Sequence, residues 1–198
     1  RFQIKPWLGI PQMTWLIIGL ILFFGTHLQK RILTCLRSKL IFSIGENVQK
    51  GIVALTASVG LVLIILGYEL SDTIYLYDLG PWSLFLNNIA MMFSVGFLGL
   101  GYSKSRFRRY VRHPMLISVI CWSVSHLLAN GDLKAVILFS GFAIWALTEI
   151  LLINRASINF KSFTEGSLKD DIKFLIGIII AYLVLSVIHL QLGVDPFF

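Results

Sequence analysis

Histidine offers this chain its widest range of chemistry, and it occurs four times, as His27, His113, His126 and His189. Each lies at or near one end of a long apolar segment, and ionisable residues at such positions are functional candidates by default. Neutral imidazole is a common ligand of iron, and two imidazoles from different helices at one depth suit a buried b-type haem. His27 ends the first apolar segment and His113 begins the fourth. We therefore predict His27 and His113 as axial metal ligands.

His126 lies on the same predicted helix as His113, 13 residues further along. At about 1.5 Å and 100° per residue it is roughly 20 Å away and faces nearly the opposite direction, so one helix cannot aim both at one iron. His126 and His189 both fall near the opposite ends of their segments. We interpret them as polar anchors, with His126 as the reserve ligand and His189 as its partner in that case.

Charged residues accompany the predicted site. Arg109 and Arg112 precede His113, and guanidinium groups form strong pairs with haem propionates or lipid phosphates. The alternative is an ordinary basic block with His113 at the membrane interface. Glu149, near the end of the fifth segment, is expected to form a salt bridge with Arg112 or Arg155, and the sharper alternative is a catalytic acid.

The elements that must position these residues are membrane helices. Of the 198 residues, 57% are hydrophobic and 14% charged, with a mean hydropathy of +0.82; soluble domains contain about 25% charged residues. This composition excludes a water-soluble enzyme, a disordered chain and a disulfide scaffold. Six apolar segments approach the length that crosses a bilayer, and they cover residues 13–29, 51–70, 84–102, 114–129, 135–153 and 172–190. The predicted fold is an all-α integral membrane bundle of about six helices, forming one domain over 1–198.

Basic residues are distributed unevenly among the connections. Fourteen lie in the stretches 30–50, 104–112 and 155–173, and three lie on the other side. The positive-inside rule therefore predicts both termini on the non-cytoplasmic side. The net charge of +7 is explained by topology, so we expect the lipid bilayer and not nucleic acid as the partner. The expected location is a bacterial cytoplasmic membrane or an organellar (mitochondrial or plastid) inner membrane.

Two local patterns concern helix packing. Asn130-Gly131-Asp132 predicts a tight turn that makes an antiparallel hairpin of the fourth and fifth segments, and Pro114 predicts the start of the fourth. Three glycines, Gly96, Gly99 and Gly101, are interpreted as small residues that permit close helix packing.

The run Arg112-His113-Pro114-Met115-Leu116, followed by Trp122 and by Ser125-His126 through Asn130-Gly131-Asp132, resembles the signature of the NnrU family of integral membrane proteins. Similarity extends over most of residues 15–155, and Ser118 stands where the family motif usually has Gly. Further matching residues are Gly25-Thr26-His27, Ile44-Gly45-Glu46, Leu76-Tyr77-Asp78, Phe142 to Trp145, and His189 with Gly193-Val194.

The resemblance implies a haem b protein that is an accessory component of membrane redox, respiratory or denitrification (nitric oxide) metabolism, with other membrane redox subunits as partners. A second implication is a haem-dependent cis–trans isomerase of a hydrophobic polyene, since the plant zeta-carotene isomerase is a relative. Two hypotheses do not involve haem. One is an S-adenosylmethionine-dependent methyltransferase, because the chain has a more distant similarity to the isoprenylcysteine carboxyl methyltransferases. The other is a structural subunit of a larger membrane complex that has lost haem. Fold analogy alone does not decide among them.

Overall fold

The computed structural model describes residues 9–156, 163 and 166–194, with side chains from residue 12 onwards. This part of the chain contains no strand and forms seven α-helices and one short 3-10 helix, Arg106–Tyr110. Each of the six predicted apolar segments corresponds to one of the helices. The helices are α1 (Gly9–Ile32), α2 (Thr34–Ile44), α3 (Glu46–Leu70), α4 (Pro81–Tyr102), α5 (Pro114–Ala129), α6 (Leu133–Ala156) and α7 (Leu168–Gln191).

Five of these helices, α1, α3, α4, α6 and α7, are long and apolar enough to cross a membrane. The all-α integral membrane fold is therefore confirmed. Helix α5 is apolar but has only 16 residues, which is about 24 Å of helix against a hydrocarbon core of about 30 Å. The side on which the termini lie stays a prediction.

The stretches predicted as basic loops contain regular structure. Helix α2 occupies the middle of 30–50, and Gly45, at a φ of +84°, separates it from α3. A positive φ is inexpensive only for glycine, so this residue lets two helices follow each other without a loop. The 3-10 helix Arg106–Tyr110 likewise lies within the basic stretch 104–112. Of the third basic stretch, 155–173, residues 157–162 and 164–165 lie outside the described part.

The chain divides into two compact units, which are described separately. Unit 1 comprises residues 9–76 with 132–141, and unit 2 comprises 77–131 with the described residues from 142 onwards. Helix α6 contributes its first nine residues to unit 1 and the remainder to unit 2.

Unit 1 is built on a close contact between α1 and α3. A Cβ added to Gly19 would lie 2.7 Å from the Gly60 carbonyl oxygen, and one added to Gly67 would overlap the backbone of Leu16. Leu16 is itself fully buried. Small residues let helix backbones approach in membranes, where lipid leaves no hydrophobic driving force between helices.

Unit 2 joins α4 to α5 through buried serines. Ser94 Oγ donates to the Ser118 carbonyl oxygen at 3.0 Å, and Ser118 Oγ donates to the Ser94 carbonyl oxygen at 2.7 Å. About one turn before the C-terminal end of α5, Ser125 Oγ donates to Asn87 Oδ1 on α4 at 2.5 Å. Ser118 thus supplies an interhelical hydrogen bond that a glycine at this position would have no side chain to make.

The predicted turn at residues 130–132 is confirmed, since α5 ends at Ala129 and α6 begins at Leu133. The turn requires glycine at position 131, because a Cβ there would overlap the Tyr77 carbonyl oxygen. The hairpin is antiparallel: Trp122 packs edge-on against Phe142, with ring centroids 5.4 Å apart, near its middle. At its far end the hydrogen bond between His113 and Asn154 joins the two helices.

The three glycines of α4 differ in what they pack against. A Cβ on Gly101 would lie 2.5 Å from Met115 Cγ on α5, so the Met115 side chain would have to move if this position carried any other residue. At Gly96 and Gly99 the nearest atoms belong to α7 and lie 3.8 and 3.6 Å away, in ordinary contact range. The packing interpretation therefore holds most strictly for Gly101.

Candidate functional site

His27 lies in unit 1, near the end of α1. Its Nδ1 lies 2.8 Å from the Phe23 carbonyl oxygen, and the ring packs on Phe23 with centroids 4.5 Å apart. Because a carbonyl oxygen only accepts, Nδ1 carries the proton in this bond, and in the neutral ring Nε2 then carries the lone pair. Metal-ligating histidines commonly have this arrangement.

A cavity of about 360 Å³ adjoins His27 between α1 and the start of α3. Its polar lining is basic, with Lys30, Arg37 and Lys50, and it includes the buried side chain of Gln49. Lys50 also forms an exposed ion pair with Glu46 at 2.8 Å. The surroundings of His27 thus suit an anionic group better than a cation.

His113 is the N-cap residue of α5, directly before Pro114. Its Nε2 lies 2.8 Å from Asn154 Oδ1 on α6. With the amide oxygen as acceptor, Nε2 is protonated, and this nitrogen contributes to helix packing. To bind iron, His113 would have to use Nδ1 or give up this hydrogen bond.

His126 and His189 line one cavity in unit 2. The cavity measures about 190 Å³ and lies among α4, α5 and α7. His189 Nδ1 lies 2.8 Å from the Leu185 carbonyl oxygen, which again leaves the lone pair on Nε2. The His126 ring packs against Trp122, with centroids 5.3 Å apart. Of the four predicted histidines, this is the pair that a single unit brings together in one cavity.

The same cavity holds polar residues that the sequence prediction left out. Asn87, Asn88, Tyr182 and Ser186 contribute to its wall, and the Tyr182 hydroxyl donates to Asn88 Oδ1 at 3.4 Å. A signal was present in the sequence, because all four are polar side chains inside apolar segments. Their shared location depends on how α4 packs against α7, which the residue pattern does not encode.

The predicted pair of His27 and His113 is divided between the two units, so it stays a prediction. Arg109 and Arg112 lie in the basic stretch before α5, where Arg109 Nε donates to the Arg106 carbonyl oxygen at 3.1 Å. Glu149 on α6 is 7% exposed. Its salt bridge with Arg112 or Arg155 and its catalytic role also stay predictions.

The described residues contain no group of three or more His, Cys, Asp or Glu side chains arranged to hold a metal ion. Two imidazoles at His126 and His189 instead match the donor set of a bis-histidine haem, which needs no third protein ligand. The cavity volume of about 190 Å³ is below the roughly 300–1,000 Å³ of typical small-molecule sites. The two donors are of the type that haem uses, whereas the cavity in the structure is smaller than the macrocycle.

A family model described as NnrU protein matches residues 15–196 of the chain. This range includes α2 to α7, three quarters of α1 and all four histidines. No curated protein and no solved structure matches the chain.

Proposed function

We propose that this chain, which belongs to the NnrU family, is an integral membrane haem b protein. In this proposal it serves as an accessory component of membrane redox, respiratory or denitrification metabolism. The observation that carries the proposal is the cavity shared by His126 and His189, which come from two different helices of one unit. Paired imidazoles from two apolar helices are one of the donor sets that bind haem b, and the proposal requires the cavity to widen around the macrocycle.

The chain's own residues would perform three tasks at this cavity. His189 donates Nδ1–H to Leu185, which fixes the ring and directs the Nε2 lone pair away from that carbonyl. Trp122 packs on His126 and restricts the rotation of its ring. Apolar neighbours such as Leu84 and Met91 limit water in the cavity. Haem b, when bound, supplies one-electron redox chemistry, and axial ligation and burial tune its potential.

The ligand pair in this proposal differs from the pair that the sequence predicts. His113 and His126 are separated by 13 residues of α5, which is roughly 20 Å of helix. Arg109 and Arg112 precede His113, so neither contributes to a site at His126. If His27 and His113 hold the haem instead, the two arginines regain their predicted role.

A panel of four variants tests both ligand pairs. His27→Ala, His113→Ala, His126→Ala and His189→Ala are purified, and haem content and the reduced-minus-oxidised spectrum are measured for each. We expect haem loss in His126→Ala and His189→Ala, because each removes an axial ligand. His113→Ala makes the same change at the N-cap of the same helix and should retain haem in this proposal, although it removes the hydrogen bond to Asn154.

Added imidazole separates a ligand from a residue that merely supports the fold. It should restore haem to His126→Ala or His189→Ala by occupying the vacated ligand position. A wild-type protein without a Soret band overturns the haem function itself. Haem loss in His27→Ala and His113→Ala, with retention in the other two, instead supports the pair predicted from sequence.

The polyene isomerase is the second candidate, and one feature of unit 2 favours it. An apolar groove of about 820 Å³ runs along α4 and α7 and reaches Ile89 and Ile179. On α7 the histidine cavity continues the same helix face, with Tyr182 within one turn of Ile179. A long apolar substrate that extends along α7 from the groove would therefore approach the proposed haem site. Conversion of a cis polyene by the haem-loaded protein, lost in His126→Ala, would identify this activity.

A further inference from the structure

Unit 2 contains an apolar groove at its basic end, which we name the α4–α7 groove. It has a volume of about 820 Å³ and is bounded by α4, α7 and the 3-10 helix. This volume is in the range of typical small-molecule sites. Its walls include Ile89, Phe93, Phe97, Phe107, Phe174 and Ile178.

Gly96 leaves open space in the wall of the groove, because it has no side chain. Gly96 lines the groove, and a Cβ there would lie 3.8 Å from Ile178 Cδ1 on the facing helix. A single methyl group would thus be accommodated, whereas a larger side chain would occupy the groove itself. The position offers a direct way to fill this space without changing any charge.

The wall made by the 3-10 helix is held in place by a buried carboxylate at the start of α7. Asp171 accepts hydrogen bonds from Ser105 Oγ at 2.8 Å, from the Arg106 backbone N–H at 2.8 Å and from Arg106 Nε at 2.7 Å. Arg106 also forms an ion pair with Asp171 at 2.6 Å. Phe107 and Tyr110, which follow Arg106, therefore keep their positions on the groove.

The chain around this end is strongly basic. Residues 103–113 and 166–173 contain seven Lys and Arg residues against two Asp residues. Lys173 directly precedes the groove residue Phe174, and both Lys173 and Lys104 are exposed. Gly166 adjoins the Lys104 carbonyl oxygen, so the two basic stretches meet at one edge of unit 2. An anionic group at this edge would be favoured.

We propose that the α4–α7 groove holds an acyl chain of an anionic phospholipid from the surrounding bilayer, with the lipid headgroup at Lys104 and Lys173. Charge decides this occupant, because a neutral hydrocarbon would gain nothing from the basic edge. A second copy is disfavoured for the same reason: copies inserted in one orientation bring their basic ends together, and like charges repel.

The test uses the full chain reconstituted in vesicles with equal amounts of phosphatidylglycerol and phosphatidylcholine. After extraction in mild detergent, the two lipids retained per protein are counted by mass spectrometry. Wild-type protein should retain phosphatidylglycerol in preference to phosphatidylcholine. Each basic residue near an anionic surface contributes on the order of fivefold, so Lys104→Gln with Lys173→Gln should reduce the preference by up to about 25-fold at low salt.

Two matched controls accompany these variants. Lys30→Gln with Lys39→Gln removes two exposed charges from unit 1 and should leave the preference unchanged. Gly96→Leu should reduce the retained lipid severalfold, whereas Gly177→Leu, on α7 where a Cβ meets nothing within 4 Å, should not. Equal retention of both lipids by wild type, or equal effects of Gly96→Leu and Gly177→Leu, overturns the proposal. So does displacement of phosphatidylglycerol by a neutral polyene at equal concentration.

Discussion

Asp171 shows how one residue can connect two elements of unit 2. It is 5% exposed, although it lies only three residues after the start of α7. Its partners Ser105 and Arg106 lie 66 and 65 residues earlier in the chain. A buried carboxylate is tolerated when hydrogen bonds and a countercharge satisfy it, and removing it leaves the buried donors without an acceptor.

We predict that Asp171→Ala lowers the free energy of unfolding by about 2 kcal/mol, because Ser105, which is fully buried, and Arg106 lose their acceptor. The loss is smaller than the cost of removing one partner from a fully buried ion pair, because the Arg106 side chain is 42% exposed and water can solvate its charge. The measurement is SDS-induced unfolding followed by helical circular dichroism. Glu46→Ala breaks an ion pair whose side chains are 58% and 62% exposed and should cost far less, because solvent screens an exposed pair. Equal losses in the two variants would contradict the role of burial.

The histidines show how far residue types alone can be interpreted. Their depth follows from the apolar segments, and all four lie on the helices where the sequence places them or at a helix cap. The residues that contact the four histidines cannot be inferred from the apolar segments. Asn154 lies 41 residues from His113 in the chain, and no local pattern indicates that it occupies Nε2. The cavity shared by His126 and His189 likewise depends on helix packing, which periodicity does not specify.

At the scale of elements, the α1–α3 contact depends on backbone proximity. The chain contains 16 glycines, and the sequence does not distinguish those that face another helix from those that face lipid. Gly67 contacts the Leu16 backbone, whereas a Cβ on Gly51, in the same helix, meets nothing within 4 Å. These two positions allow a comparison within a single element.

We predict that Gly67→Ala destabilises unit 1 by about 1–3 kcal/mol, since the new methyl group would force α1 and α3 apart. Gly51→Ala should be neutral or stabilising by up to about 1 kcal/mol, because alanine has the higher helix propensity. The SDS titration described for Asp171 measures both. A Gly67→Ala protein as stable as Gly51→Ala would mean that α1 and α3 do not approach as closely as the structure indicates.

Secondary structure was predictable to different degrees along the chain. The six apolar segments are explicit in the sequence, and each is a helix. Helix α2, TCLRSKLIFSI, was not anticipated because its short apolar groups alternate with Arg37 and Lys39, and none of its residues is buried. Basic residues identify the ends of membrane helices, but they do not indicate whether the connection is itself helical.

At the scale of the molecule, charge is distributed along the chain in a way that no single helix reveals. The 17 basic residues divide 14 to 3 between alternate connections of the six apolar segments. The helix bounds preserve this division, because Lys134 falls next to the turn at Gly131 and the other described basic residues lie toward the opposite helix ends. Orientation is a property of this distribution and of the membrane.

Cysteine labelling tests the orientation directly. Cys35 is exposed in α2, within the basic stretch 30–50, and α3 separates it from residue Thr73, which is also exposed. In a Cys121→Ala background, which removes the other cysteine, we expect Cys35 to react with an impermeant maleimide only after the membrane is opened. A cysteine at Thr73→Cys, combined with Cys35→Ala, should react in intact cells or vesicles of known sidedness. The reason is that 14 basic residues on one side favour its retention there. Labelling of both positions from the same side would contradict a membrane crossing by α3, and the reverse pattern would place both termini on the cytoplasmic side.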